Sequence, residues 1–297
     1  MAYISVDKIE DGLYLGNYDA ACDLKTLKEL HISHILTVAN RPLPTSITSL
    51  QGISTHFIKA FDLADSDLLS HFQEALDFIE DGLRKGKVLV HCHWGISRSA
   101  TLVTAYVMKK YTLTLEEALA RVKSKRHVAF PNSGFMAQLL LYKKMGYQLD
   151  TSNLQYKLYL LKAAGAYFAK GKRELDARYE VIVHPDQPAG SVAYKCKNCR
   201  SSLVGAEAVL PHQIGETPDW TDNKWPGTAD KICDKGVFTF PIKWMSNPDK
   251  PVAGKLYCPK CNTKVGNYNW VAGYKCPCSA KITPGIYIIR SKVDKCM

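Results

Sequence analysis

The sequence predicts an α/β domain over residues 1–150 and a small β-rich, metal-binding domain over residues 191–297. Three observations carry that expectation. Short apolar runs alternate with 3.6-residue periodicity in the first half. Eight of the ten cysteines lie in the second half. Charge divides the same way: residues 1–150 hold 17 basic and 16 acidic side chains, residues 151–297 hold 22 and 12. Two domains of different chemistry follow.

In chain order, the apolar runs at 32–38 and 54–61 read as strands. Leu69, Phe72, Leu76, Ile79 and Leu83 recur at helical spacing, and Gly82 and Gly86 bracket the end of that helix. Lys87-Val88-Leu89-Val90 reads as a buried strand. An apolar helix follows over about 99–110, the capping box Thr114-Leu115-Glu116-Glu117 opens a second, and a third starts after Pro131. Residues 153–178 look helical and basic, and His184-Pro185-Asp186-Gln187-Pro188-Ala189-Gly190 breaks the pattern. A basic helical linker is therefore expected within 151–190. There is no internal repeat.

Composition excludes wholesale disorder: of 297 residues, 46% are hydrophobic and 23% charged. Residues 1–7 carry neither a basic nor an apolar leader region, and no run approaches the roughly 20 apolar residues that span a bilayer. A soluble, unsecreted protein with no membrane partner is expected. The 39 basic against 28 acidic side chains favour negatively charged partners.

The densest chemistry lies in the loop His91-Cys92-His93-Trp94-Gly95-Ile96-Ser97-Arg98-Ser99, between a buried strand and a helix. Successive N–H groups from His93 to Arg98 can converge on an anion there. The helix N-terminus adds its positive end, and Gly95 permits a tight path. The same field favours the thiolate of Cys92, a nucleophile. Arg98 can grip two phosphoryl oxygens at once, and Ser99 is placed to hydrogen-bond the thiolate. His91 is expected to orient the loop.

The pattern His-Cys-x-x-Gly-x-x-Arg-Ser resembles the signature of the cysteine-dependent protein phosphatases, most closely their dual-specificity branch. The resemblance covers about residues 3–147 and implies a central sheet flanked by helices. It also implies a cysteinyl-phosphate intermediate, with an upstream aspartate protonating the leaving oxygen and then activating water. Asp62, thirty residues before Cys92, matches that position. Asp65 and Asp67 are rivals, though Asp65, Ser66 or Asp67 also suits the cap of a helix starting near Leu68. In Pro131-Asn132-Ser133-Gly134-Phe135, Asn132 resembles a residue that supports the phosphate loop, or is simply a helix cap. No long insertion precedes the loop, so the substrate class includes phosphoserine and phosphothreonine beside phosphotyrosine. The same loop chemistry also serves RNA 5′-phosphatases.

In the second half, Cys196-Lys197-Asn198-Cys199 and Cys258-Pro259-Lys260-Cys261 are two Cys-x-x-Cys knuckles. Together they supply one tetrahedral zinc site. Cys276, Cys278, Cys233 and His212 suffice for a second, and an interleaved pairing is nearly as compatible with the spacing. With four ligands apiece neither ion keeps an open position, so two structural zinc ions are expected and hydrolysis needs no metal. Lys195, Lys197, Arg200, Lys255, Lys260, Lys264, Lys275 and Lys281 flank these ligands. Trp244, Tyr268, Trp270 and Tyr274 interleave, either as stacking platforms for RNA or as the small core.

The order of phosphatase signature, Cys-x-x-Cys, histidine, lone cysteine, Cys-x-x-Cys and Cys-x-Cys is similar to one eukaryotic family of dual-specificity phosphatases. Tyr194-Lys195-Cys196, Gly266-Asn267-Tyr268-Asn269-Trp270 and Ile282-Thr283-Pro284 share the likeness. That resemblance implies nuclear and cytoplasmic residence and a link to large ribosomal subunit maturation. The primary expectation is thus a phosphatase of phosphoproteins whose zinc domain binds a partner. The alternative is a binding factor for large-subunit precursors or RNA in which catalysis is dispensable.

Overall fold

The structure is a computed structural model that describes residues 3–172, 174–184, 191–245 and 252–296. The chain forms two compact units, Met1–Asp150 and Thr151–Met297.

The first unit opens with an antiparallel hairpin of β1 (Val6–Glu10) and β2 (Leu13–Gly16). Two short helices follow, α1 (Tyr18–Cys22) and α2 (Leu24–Glu29), capped by the side chains of Asn17 and Asp23. Then come β3 (Ile32–Ala39), α3 (Thr45–Thr48), β4 (Ser54–Lys59), α4 (Phe72–Lys85) and β5 (Lys87–His91). The helices α5 (Arg98–Tyr111), α6 (Leu115–Lys125) and α7 (Ser133–Lys144) complete it. The strand order is β1-β2-β5-β3-β4, parallel everywhere except the first pair. This is the α/β architecture that the alternating pattern predicts.

Central β5 explains the placement of the loop that follows it. Val88, Leu89 and Val90 are fully buried, with Val90 aligned between Leu15 of β2 and Leu36 of β3. A continuous apolar run is what a parallel strand covered on both faces requires. Its carboxyl end hands the chain to α5, whose residues from Arg98 to Met108 are all buried. Ligands of parallel sheets bind at that end of the strands. The capping box of α6 forms as expected, with Thr114 and Glu117 bonded reciprocally.

The helix expected from Leu69 instead opens with a 3-10 turn, Leu69–His71, before α4 begins. Buried Gln138 on α7 causes this. Its side-chain oxygen accepts the N–H groups of Leu68 and Leu69 at 3.0 and 2.8 Å, while its amide donates to the Ser66 carbonyl at 2.8 Å.

In the second unit, α8 (Leu154–Ala169) precedes β6 (Val192–Cys196), β7 (Ser202–Gly205), β8 (Val237–Phe238), β9 (Ala253–Tyr257) and β10 (Lys264–Asn269). The short strands β11 (Tyr274–Lys275), β12 (Lys281–Ile282), β13 (Gly285–Ile288) and β14 (Val293–Lys295) follow. They make an antiparallel sheet β8-β13-β10-β9, a sheet β14-β6-β7 and a hairpin β11-β12. Leu203, Val204, Leu256, Val265, Ile286 and Ile288 share one core with Cys196 and Cys258.

The expected linker at 151–190 is corrected. Helix α8 buries Tyr156, Leu158, Tyr159, Leu160, Leu161, Ala164 and Phe168, which a solvated connector would not do. A Cβ on Gly165 would stand 2.6 Å from a Pro284 ring carbon, so the helix lies directly on the β-rich part as a core element. The Pro- and Gly-containing stretch 185–190 lies outside the described residues. Among the described residues, no helix is long and apolar enough to cross a membrane.

Candidate active site and metal clusters

The loop after β5 wraps around the sulfur of Cys92, which is 1% exposed. The Ser99 hydroxyl donates to that sulfur at 3.1 Å and the Gly95 N–H at 3.2 Å, an arrangement suited to a sulfur bearing negative charge. Gly95 is required for this path. Its φ is +66°, and a Cβ there would lie 2.4 Å from the Gly16 carbonyl oxygen.

Arg98, at the first position of α5, is buried against the segment that follows β4. One guanidinium Nη1 donates to the Ala60 carbonyl at 3.2 Å. Its Nε–H is buried without a hydrogen-bond partner and lies 3.6 Å from an Asp62 carboxylate oxygen. A buried, unpartnered donor of this kind suits an anionic ligand.

Asp62 stands just beyond β4, and its Oδ1 accepts from the Ser97 hydroxyl at 2.7 Å and from the Asn132 amide at 2.9 Å. The structure thus brings Asp62, Ser97, Arg98 and Asn132 together. Its rivals stand differently: Asp65, exposed like Asp62, makes none of these contacts, and Asp67 accepts the Ser70 N–H at 3.1 Å. Asn132 does both things open to it from sequence. Its Oδ1 caps α7 through the Phe135 N–H at 3.0 Å, while its Nδ2 holds Asp62. Gly134 lets α7 approach that loop, since a Cβ there would collide with the Ala64 carbonyl.

His91 is fully buried beneath the loop, 2.8 Å from the Thr37 hydroxyl and 3.3 Å from the Cys92 carbonyl. Burial pushes its pKa down to about 4, so the ring is neutral at pH 7. As pH falls below about 6.5 the unfolded chain takes up a proton that the folded ring refuses until about 4, so stability is lost across that window. Between pH 7 and pH 5 the loss should be roughly 2 kcal/mol. Urea midpoints at the two pH values check this: His91→Asn should flatten the difference, and an undiminished difference would assign it to other groups.

Arg126, which the sequence reading passed over, is the chief support of the loop. Its guanidinium is almost completely buried and donates to the carbonyls of Gly95 at 2.7 Å and Trp94 at 3.1 Å. It also reaches the Asp7 carboxylate at 2.7 Å and the Ser5 hydroxyl at 3.1 Å, pinning the loop to the first strand. An arginine in Lys-Ser-Lys-Arg-His reads as surface charge, because no local pattern marks a partner 119 residues away.

In the second unit, Cys196, Cys199, Cys258 and Cys261 gather in one cluster and His212, Cys233, Cys276 and Cys278 in another. In each, the ligand atoms lie within 4.8 Å of one another. Both knuckles of the first cluster take the same turn, at the ends of the β6–β7 and β9–β10 hairpins. The Cys196 and Cys258 N–H groups donate to Ser201 and Thr263, each at 2.9 Å, and the turns close with Arg200 and Asn262 at positive φ. In the second cluster burial lowers the pKa of His212, a shift toward the neutral ring that ligation requires. Tyr268 is buried, Trp270 packs on Phe168 with ring centres 4.9 Å apart, and Trp244 donates to the Leu203 carbonyl at 2.9 Å. These rings serve the core.

Residues 13–145 match the family described as dual specificity phosphatase, catalytic domain. The chain is 33% identical to dual specificity protein phosphatase MPK-4 of Drosophila melanogaster over 98% of its own length and 88% of the relative. It is also 33% identical to dual specificity protein phosphatase 12 of Homo sapiens, over 97% of its length and 88% of that protein. Tyrosine-protein phosphatase yvh1 of Schizosaccharomyces pombe is 30% identical over 97% of the chain and 84% of the relative.

Proposed function

Because this chain belongs to the dual specificity protein phosphatases, and is thereby a protein phosphatase, we propose that it hydrolyses phosphotyrosine, phosphoserine and phosphothreonine through a phosphorylated Cys92. One observation carries the assignment: two donors converge on the Cys92 sulfur while the buried Arg98 Nε–H, ion-paired with Asp62, lacks a hydrogen-bond partner.

In this reading the phosphoryl group enters the loop His93, Trp94, Gly95, Ile96, Ser97, Arg98. Backbone N–H groups and the Arg98 fork bind its oxygens. The Cys92 sulfur forms the bond to phosphorus as the bond to the substrate oxygen breaks, and Asp62 delivers the proton that oxygen needs. Asp62 then takes a proton from water, which attacks phosphorus and releases the thiolate, with the Ser99 hydroxyl stabilising the departing sulfur. Neutral, buried His91 holds the loop from below, and Asn132 with Ser97 orients Asp62.

Asp62→Asn checks the proton step. Hydrolysis of a phosphoserine peptide should slow roughly 100- to 1000-fold, against less than about tenfold for a nitrophenyl phosphate that needs no proton. An equal loss on both substrates would move the acid role away from Asp62. Triphosphorylated RNA should be a far poorer substrate than the peptides.

We also assign zinc to the two clusters. The paired sulfurs stand 3.7 Å (Cys196 and Cys261), 3.6 Å (Cys199 and Cys258) and 3.7 Å (Cys233 and Cys276) apart. Tetrahedral Zn–S bonds near 2.3 Å give edges of about 3.8 Å, whereas a disulfide needs about 2.05 Å. Four ligands close each site, so both ions are structural and hydrolysis proceeds without them.

A second activity is favoured by exposed Lys197, Arg200, Lys255, Lys260, Lys275 and Lys281 around the clusters. They support binding of a negatively charged assembly, and the family resemblance suggests a large ribosomal subunit precursor, met in the nucleus and the cytoplasm. In gradients of cell extract the full chain should sediment with such precursors. Cys92→Ser should leave that co-migration intact and Cys196→Ser should abolish it; a wild-type chain remaining at the top would remove this reading.

A further inference from the structure

We propose that the three loops framing Cys92 form an apolar docking rim, selecting phosphoprotein segments with bulky aliphatic or aromatic side chains beside the phosphorylated residue. This rests on the phosphatase reading above and specifies its substrate.

Among the described residues of the first unit, thirteen large apolar side chains are exposed, and six of them stand on these loops. Phe61 and Leu63 flank Asp62, Trp94 and Ile96 flank Gly95, and Val128 and Phe130 precede Asn132. Trp94 is 60% exposed and Phe130 65%. The loops are joined at the catalytic residues themselves. Phe130 donates its N–H to the Ile96 carbonyl at 2.7 Å, and Asp62 is bonded to both Ser97 and Asn132. Exposed apolar groups scattered singly need no explanation, but a concentration around a reactive centre marks an interaction surface.

Charge decides what kind of partner fits. Residues 61–67 carry three aspartates and no cation, residues 93–97 carry neither lysine nor arginine, and residues 127–132 add only His127. Lys123, over the Phe130 ring at 4.8 Å, is a cation at the margin. Recognition of an anionic bilayer relies on clustered lysine and arginine, which these loops lack. Acidic residues beside the phosphoamino acid would face Asp62, Asp65 and Asp67 across loops whose one lysine or arginine is Arg98, already committed to phosphate, with Lys123 only at the margin. Neutral apolar neighbours gain contact at no electrostatic cost, so the rim fits a peptide of that kind.

The test measures kcat/KM on phosphotyrosyl peptides that differ only in the residues before and after phosphotyrosine: leucine, glycine or aspartate. The leucine peptide should exceed the glycine peptide by about tenfold or more, with the aspartate peptide poorest. Phe130→Ser and Leu63→Ser should each cut that preference several-fold and leave nitrophenyl phosphate turnover unchanged. Equal rates on the three peptides, or a preference for aspartate, would overturn the proposal. So would Phe130-dependent hydrolysis of a phosphoinositide in phosphatidylcholine vesicles without peptide discrimination, which would make the rim a membrane contact. Failure of the phosphatase reading itself would look different: nitrophenyl phosphate turnover would be absent or insensitive to Cys92→Ser.

Discussion

Cys92→Ser should abolish phosphatase turnover, lowering kcat by on the order of 10⁴-fold or more, the scale seen when a covalent nucleophile is removed. The side chains are nearly the same size, so the loop closes as before around a hydroxyl still facing the Ser99 and Gly95 donors. What is lost is the reactivity of a thiolate, which a serine hydroxyl lacks without an adjacent base. His91 does not supply one, because its ring nitrogens are engaged with Thr37 and with the Cys92 carbonyl and burial makes the ring a poor proton acceptor. Steady-state hydrolysis of nitrophenyl phosphate and phosphate binding by calorimetry check this together. Lost turnover with retained binding is the expected pair, whereas preserved turnover would remove Cys92 from the mechanism.

Stripping metal from the second unit should unfold it while sparing hydrolysis. The first cluster joins the β6–β7 and β9–β10 hairpins, the second ties the β11–β12 hairpin to His212 and Cys233, and Cys196 and Cys258 themselves belong to the core. Structural zinc contributes roughly 10–16 kcal/mol in small domains, more than a unit of this size holds in reserve. A strong chelator, or Cys258→Ser, should therefore release zinc and collapse the amide dispersion of residues 191–296. Nitrophenyl phosphate turnover should change less than about twofold, because Cys92, Arg98, Asp62 and Ser99 all lie in Met1–Asp150. A well-dispersed spectrum after full metal removal would make the clusters dispensable for folding.

The proposed phosphate loop is legible in the sequence because its chemistry is local. Strand, loop and helix N-terminus are adjacent in the chain, so residue types over 87–99 already specify the geometry that Cys92 and Arg98 need. Asp62 was legible only to within a few residues. Three aspartates share one loop, and the contacts that distinguish Asp62 come from Ser97 and from Asn132 on α7. Arg126 left no local trace at all, since the carbonyls and carboxylate it binds belong to Trp94, Gly95 and Asp7.

The second unit shows the same division. Cys-x-x-Cys spacing announces ligands because a knuckle is a short turn, but which knuckles face each other depends on hairpins 60 residues apart. At 151–190 the basic helical stretch and the break at 184–190 suggest a linker. Its leucines and tyrosines instead form a buried helical face that has meaning only once Trp270 and Pro284 are beside it. By itself, then, the sequence determined the α/β class and picked out Cys92 as the proposed nucleophile, Arg98 as the proposed phosphate-binding group and eight candidate metal ligands, all from patterns within a few residues of chain. Tertiary structure alone decided which aspartate stands beside Arg98, which arginine holds the loop and which thiols gather, because each is made by groups far apart in sequence that meet only when the cores close.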